Sequence, residues 1–198
     1  MKANEVRIIG GEWRSRRIRF APRADLRPTP DRVRETLFNW LGQDLTGLTC
    51  LDLFAGSGAL GFEAASRGAS RVVIVERDRA AFAALETNRS ALGARQVELV
   101  RGDALEFLRG DRRQYDVIFL DPPFSVDYRA RLLALLPPRM ARDASLYYES
   151  GARAEWPAGW EIRKEGRAGQ VVFQLVKRTE HEPHGGLPGH VRPDNTGS

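Results

Sequence analysis

The chain has 198 residues, 42% hydrophobic and 29% charged, which suits one globular domain with a real core and short appendages. One cysteine excludes an intrachain disulfide and a cysteine-cluster metal site, and no apolar run approaches the ~18 residues of a membrane-spanning helix. The net charge of +5 is localised: residues 1–34 hold ten Lys/Arg against four Asp/Glu, and the remaining 164 hold 21 against 22.

A basic excess confined to the N-terminal fifth is the footprint of a phosphate-backbone binder, or else a solvated arm. The opening residues lack the apolar stretch of a signal peptide, so a cytoplasmic location is expected. Two short β segments, Val6-Arg7-Ile8-Ile9 and Arg17-Ile18-Arg19-Phe20, flank the turn Gly10-Gly11. Between them Trp13 is interleaved with Arg14, Arg16 and Arg17, which together can grip a nucleic-acid backbone and stack an unpaired base. The alternative is a hairpin whose Trp13 packs on the main domain.

In Thr29-Pro30-Asp31 the hydroxyl suits an N-cap, Pro30 the first helical position and Asp31 the helix dipole, and Gly42 can end the helix. Val33, Leu37, Trp40 and Leu41 form the apolar stripe, with Arg32 and Arg34 off it. From residue 48 strands alternate with helices. Strands are expected near 48–53, 71–76, 97–101, 115–121, 144–149, 160–166 and 170–177, and helices near 59–67, 78–91, 103–109 and 127–136. This predicts an α/β fold whose sheet is mostly parallel, with an antiparallel C-terminal hairpin across Gly166-Arg167-Ala168-Gly169. Cys50 reads as plain core.

Cys50-Leu51-Asp52-Leu53-Phe54-Ala55-Gly56-Ser57-Gly58-Ala59-Leu60-Gly61 is a strand entering a glycine turn that opens a helix. The glycines also satisfy the dinucleotide pattern G-x-G-x-x-G, so a nicotinamide cofactor is the rival ligand. Asp52 shifts the balance, because a carboxylate there accepts from a cationic amino-acid group and repels a pyrophosphate. Glu76, ending the second strand, suits a ribose diol, and Asp103 in Gly102-Asp103-Ala104 suits an adenine amino group. Amino acid, ribose and adenine together describe S-adenosylmethionine.

The run Tyr115-Asp116-Val117-Ile118-Phe119-Leu120 then ends in Asp121-Pro122-Pro123-Phe124. An acid, two prolines and a ring at a strand end can clamp a planar amine, or can simply end a strand in a turn. After Arg178 the chain becomes a polar segment rich in His, Gly and Pro, disordered by composition. All three histidines lie there, so none is available as a base in the domain.

Asp52 to Gly58, Glu76, Gly102-Asp103-Ala104 and Asp121 to Phe124, in this order and spacing, resemble the class I S-adenosylmethionine-dependent amino-methyltransferases. Arg7-Ile8-Ile9-Gly10-Gly11 and the block from Leu26 to Leu41 resemble, more narrowly, the RsmD family of bacterial small-subunit ribosomal RNA guanine-N2 methyltransferases. The resemblance runs from about residue 6 to 178. It implies a Rossmann-like methyltransferase domain at 28–178, a basic RNA-binding extension at 1–27 and a tail at 179–198.

The implied catalytic residues are Asp121, Pro122 and Phe124. The implied cofactor residues are Thr29, Asp52, Phe54, Gly56, Gly58, Glu76, Asp103 and Ala104. Arg7, Trp13, Arg14, Arg16, Arg17 and Arg32 would meet the RNA, either small-subunit ribosomal RNA or an assembled 30S-type particle. A monomer without metal or membrane contact is expected. A DNA adenine-N6 or protein-glutamine methyltransferase, or a non-catalytic ribosome-assembly factor, remains the alternative. The Asp-Pro-Pro-Phe clamp itself accepts the amino group of guanine or adenine alike.

Overall fold

A seven-stranded sheet forms the centre of the computed structural model, which describes residues 4–21, 28–122 and 129–179. Its strands are β3 (Thr49–Asp52), β4 (Arg71–Glu76), β5 (Val97–Arg101), β6 (Tyr115–Leu120), β7 (Met140–Ser150), β8 (Trp160–Ala168) and β9 (Val171–Arg178). They lie in the order β5-β4-β3-β6-β7-β9-β8, the first five parallel and the β8–β9 hairpin antiparallel. The expected fold class is observed. The direction of winding reverses between β3 and β6, and at such a switch point open α/β sheets form their ligand crevice.

Helices α1 (Asp31–Leu41), α2 (Ala59–Ser66), α3 (Arg79–Leu92), α4 (Ala104–Gly110) and α5 (Arg129–Leu135) cover the two faces of the sheet. Alternation along each strand decides which residue faces which cover. Cys50, Ile74, Phe119 and Tyr147 share a core with Leu37 and Phe38 of α1, Phe62 of α2 and Leu85 of α3. Their neighbours Leu51, Val73, Ile118 and Leu146 share the other core with Leu105 and Leu108 of α4 and Leu132 of α5. Because both faces are covered, the central strands read as apolar runs. Cys50 is fully buried, and burial pushes its thiol up to about 12, so the reading as core holds.

Local signals set most boundaries. Asp78 caps α3 by accepting from Ala81 N at 2.8 Å, and Gly42 and Gly93 end α1 and α3 in the left-handed conformation. β7 is longer than its apolar part, reaching back to Met140 through an irregularity where its pairing with β6 shifts register.

The start of α1 corrects two expectations. Thr29 does not cap the helix; Pro30 occupies the cap position and no side chain closes it. Arg34 does not lie on the solvated side, because it is wholly buried together with Val33, Leu37 and Phe38. Trp40 and Leu41 are only partly buried, Trp40 placing its ring 5.3 Å from that of Phe173.

Near the N-terminus β1 (Glu5–Arg7) and β2 (Arg17–Arg19) pair as a small antiparallel sheet. Its inner side chains Val6, Ile8 and Ile18 join the core beneath α1 and α2, and so does Trp13, which is 4% exposed. Burial of this kind contributes roughly 1.5–3 kcal/mol per side chain, so the hairpin is docked on the domain. The expectation that Trp13 stacks on a base is therefore overturned: its indole belongs to the core. Residues 22–27, Phe124 with the segment 123–128, and the tail from 180 lie outside the described residues.

Candidate active site

At the C-terminal ends of four adjacent strands an acid stands two residues past an inward-facing core side chain. Glu76 follows Ile74 on β4, Asp52 follows Cys50 on β3, Asp121 follows Phe119 one residue past the end of β6, and Glu149 follows Tyr147 on β7. A period of two puts all four carboxylates on the face that α1 and α2 cover. Asp52, Glu76 and Glu149 are buried, at 3%, 6% and 5% exposure, and Asp121 is half-buried. Among the described residues none of the four forms an ion pair with Lys or Arg.

Their hydrogen bonds come from backbone amides and hydroxyls. Asp52 Oδ2 accepts from Gly61 N at 3.0 Å. Glu76 Oε2 accepts from Gly56 N at 2.8 Å and its Oε1 from Asp78 N at 2.7 Å. Glu149 Oε1 accepts from Thr29 Oγ1 at 3.0 Å and from the Tyr147 hydroxyl at 2.6 Å. Burial, with Glu76 and Glu149 nearby, pushes the Asp52 carboxyl up to about 7. Burial also raises Asp121, reinforced by the charges of Glu149 and Asp52, and burial raises Glu149 against the lowering effect of its two hydroxyl donors. An uncompensated negative site of this kind favours a cationic ligand.

The glycine turn explains its own composition. Gly56 and Gly58 have φ of 51° and 76°, and a Cβ on Gly58 would stand 2.5 Å from Leu85 Cδ2. A Cβ on Gly61 would meet Ile74 Cδ1 at 2.6 Å and Asp52 Oδ2 at 3.2 Å, so the third glycine lets α2 approach the acid-bearing strands. Asp103 caps α4, its Oδ1 accepting from Leu105 N at 2.9 Å and Glu106 N at 3.2 Å, so that the cap engages one of its two oxygens. Ala104 is buried beneath it, and Phe54 is half-buried beside the turn. Pro122 is buried directly after Asp121.

Thr29 is 6% exposed, and the Thr29–Glu149 bond seats the segment before α1 against the end of β7. That segment is held in turn by Arg34. Its guanidinium donates to Thr29 O at 3.2 Å, Glu63 Oε2 at 3.1 Å, Arg7 O at 2.7 Å and Asp31 Oδ1 at 2.5 Å. Glu63 also accepts from Ile9 N at 2.9 Å, Gly10 N at 2.7 Å and Arg67 Nε at 2.9 Å. Hairpin, α1, α2 and the crevice thus meet at one buried ion pair.

The arginines expected to meet RNA face outward. Arg7 pairs with Asp31 at 3.1 Å, Arg17 with Glu5 at 3.1 Å, and Arg16 donates to Ala91 O at 2.5 Å. Arg14 and Arg32 are exposed as well. Sequence reasoning missed Glu149, Tyr147, Arg34 and Glu63. The usable signal for Glu149 was its place two residues beyond an inward aromatic, on the strand that pairs with β6.

A family model described as Conserved hypothetical protein 95 matches residues 6–177. The chain is 40% identical over 181 residues to ribosomal RNA small subunit methyltransferase D of Escherichia coli strain K12, covering 89% of this chain and 91% of that protein. The chain belongs to this RsmD family. A Haemophilus influenzae protein of the same name is 40% identical, covering 87% of this chain and 94% of its own length. The solved structure of the Escherichia coli protein yhhF superposes with a TM-score of 0.79 at 42% identity, covering 88% of this chain and 98% of its own. The RsmD-family fold, a class I methyltransferase sheet behind a small N-terminal hairpin, is the fold seen here.

Proposed function

We propose that this protein transfers a methyl group from S-adenosylmethionine to the exocyclic 2-amino group of a guanine in small-subunit ribosomal RNA. The observation that carries the reading is the row of four carboxylates at the switch point, without a cationic partner among the described residues, one of them heading Asp121-Pro122. Membership of the RsmD family, with relatives named as small-subunit ribosomal RNA methyltransferases, supports the polymer.

Asp52 would hold the ammonium of the cofactor, Glu76 its ribose diol, and Asp103 with Ala104 its adenine, while Phe54, Gly56 and Gly58 shape the turn around it and Thr29 closes the near side. The bound cofactor supplies a methyl group on a cationic sulfonium. The Asp121 carboxylate and the Pro122 carbonyl accept the two amino hydrogens of the base. Holding them makes the nitrogen more pyramidal and directs its lone pair out of the ring. As positive charge grows on that nitrogen Asp121 stabilises it and takes the proton it sheds, so no histidine is required. Phe124 would stack on the base, a contact worth roughly 1–3 kcal/mol. The base reaches such a crevice only when unpaired or flipped.

Residues 1–27 serve in this reading as the RNA-binding extension through Arg7, Arg14, Arg16 and Arg17, helped by Arg32. Residues 28–178 form the methyltransferase domain and 179–198 a tail. The protein acts as a cytoplasmic monomer on ribosomal RNA or a 30S-type particle. Incubation with labelled cofactor and small-subunit particles, followed by digestion to nucleosides, tests it. Label on N2-methylguanosine is expected; label on adenosine, or none, sinks the proposal.

A further inference from the structure

Nothing in the reaction as described uses Glu149, yet the fold brings it beside Asp121. β6 and β7 run parallel with Leu120 opposite Tyr148, so Asp121 and Glu149 occupy the next rung and point to the same face. Neighbouring strands lie about 4.8 Å apart, which sets two carboxylates side by side at the mouth of the crevice. Glu149 is buried and its orientation is fixed, because the Thr29 and Tyr147 hydroxyls both donate to Oε1. Among the described residues no donor reaches Oε2, which can therefore take a further one.

We infer that Glu149 is the residue that selects guanine, accepting the base's N1–H while Asp121 holds its 2-amino group. Guanine presents two donors next to each other on its Watson–Crick edge, N1–H and N2–H. Adenine presents one donor, at N6, beside the acceptor N1. Two adjacent carboxylates satisfy the first edge and set an acceptor against an acceptor on the second, and a buried polar site rejects such a mismatch strongly. Glu149 also acts on the chemistry. Charge arising at N2 is delocalised through C2 to N1, so a carboxylate on N1–H stabilises the same charge that Asp121 does. This inference rests on the guanine reading above and accounts for the choice of base that the Asp-Pro-Pro-Phe clamp leaves open.

The test replaces the methylated guanine, once located by mass mapping, with 2,6-diaminopurine, which keeps the 2-amino nucleophile but has an acceptor at N1. Wild-type protein should methylate guanine faster by about 10²–10⁴-fold. Glu149→Gln, whose amide can donate to that N1, should slow guanine and bring the two rates within about tenfold of each other while calorimetry still shows cofactor binding. Tyr147→Phe, which frees one side of the carboxylate, should reduce the ratio less. Equal wild-type rates, or a ratio unmoved in a Glu149→Gln protein that binds cofactor, overturns the assignment. Should Glu149→Gln fail to fold, an unmoved ratio in Tyr147→Phe does so. A wild-type protein that labels no guanine would instead fail the reading of function, an outcome distinct from these.

Discussion

Arg34 donates to Glu63 at 3.1 Å with neither side chain accessible to solvent. A buried ion pair is costly to form and more costly to break on one side, because the survivor keeps its charge without its partner. Here the pair also carries Thr29 O, Arg7 O and the amides of Ile9 and Gly10, so it joins the hairpin to the crevice.

Arg34→Met should therefore lower stability by about 3 kcal/mol, the low end for an orphaned buried charge, because Arg67 still pairs with Glu63. For a domain of this size that corresponds to a fall in Tm of roughly 6–12 °C. Denaturant titration checks it, and an unchanged midpoint would show that the pair contributes nothing net.

Asp121→Ala should lower turnover by at least ~10²-fold, as removal of a group acting on developing charge does, while calorimetry continues to show cofactor binding. Loss of cofactor binding instead would move Asp121 to the cofactor site.

Asp52 gives the ligand-free protein a particular pH dependence. Its folded carboxyl is pushed up to about 7 from an ordinary value of 3.8, so the folded state holds a proton that the unfolded state has released. Stability from this group is complete below about 3.8 and is lost as pH rises to about 7. Asp52→Asn should flatten thermal stability across that window. A cationic cofactor should favour the carboxylate, so binding near pH 6 should release protons. Calorimetry in buffers of different ionisation enthalpy reads this directly, and equal heats in all of them would contradict it.

Charge reversal at Arg14, Arg16 and Arg17 should weaken RNA binding and flatten its salt dependence, by about 0.7–0.9 in the log–log slope for each phosphate that is no longer neutralised. All three side chains are exposed, so the fold should survive. Trp13→Ala should behave differently, costing about 3–5 kcal/mol of stability because the indole is core. An unchanged salt slope in the triple variant would make the arginines incidental.

Much of this architecture is written locally. Val72 to Val75 and Val117 to Leu120 read as strands because both of their faces are covered, and Gly56, Gly58 and Gly61 mark the turn because two have positive φ and two leave no room for a Cβ. Asp52, Glu76 and Asp121 were visible as acids at strand ends. Glu149 and Arg34 were not, for a common reason. Tyr147-Tyr148-Glu149 shows nothing special until pairing with β6 brings Glu149 level with Asp121. Arg34 follows Val33 and precedes Phe38 by one helical turn, a core position whose charge suggests solvent until Glu63 arrives from α2. Trp13 failed in the opposite sense: arginines around an aromatic suggest nucleic acid, yet the ring fills a gap against the domain.

Gly11 bears on how the hairpin does its work. Its φ is 74°, and a Cβ there would lie 1.8 Å from Ser66 O, so the turn sits flush on the end of α2, where Glu12 N and Trp13 N donate to Ser66. An arm seated this closely is a fixed jaw. In the role proposed for it, the span between the gripped backbone and the crevice is set before RNA arrives, and little ordering remains to oppose binding. In that proposed role the enzyme would work as a gauge, accepting the nucleotide that a folded RNA holds at the right offset from its own phosphates. Two targets of identical local sequence would be told apart by shape alone.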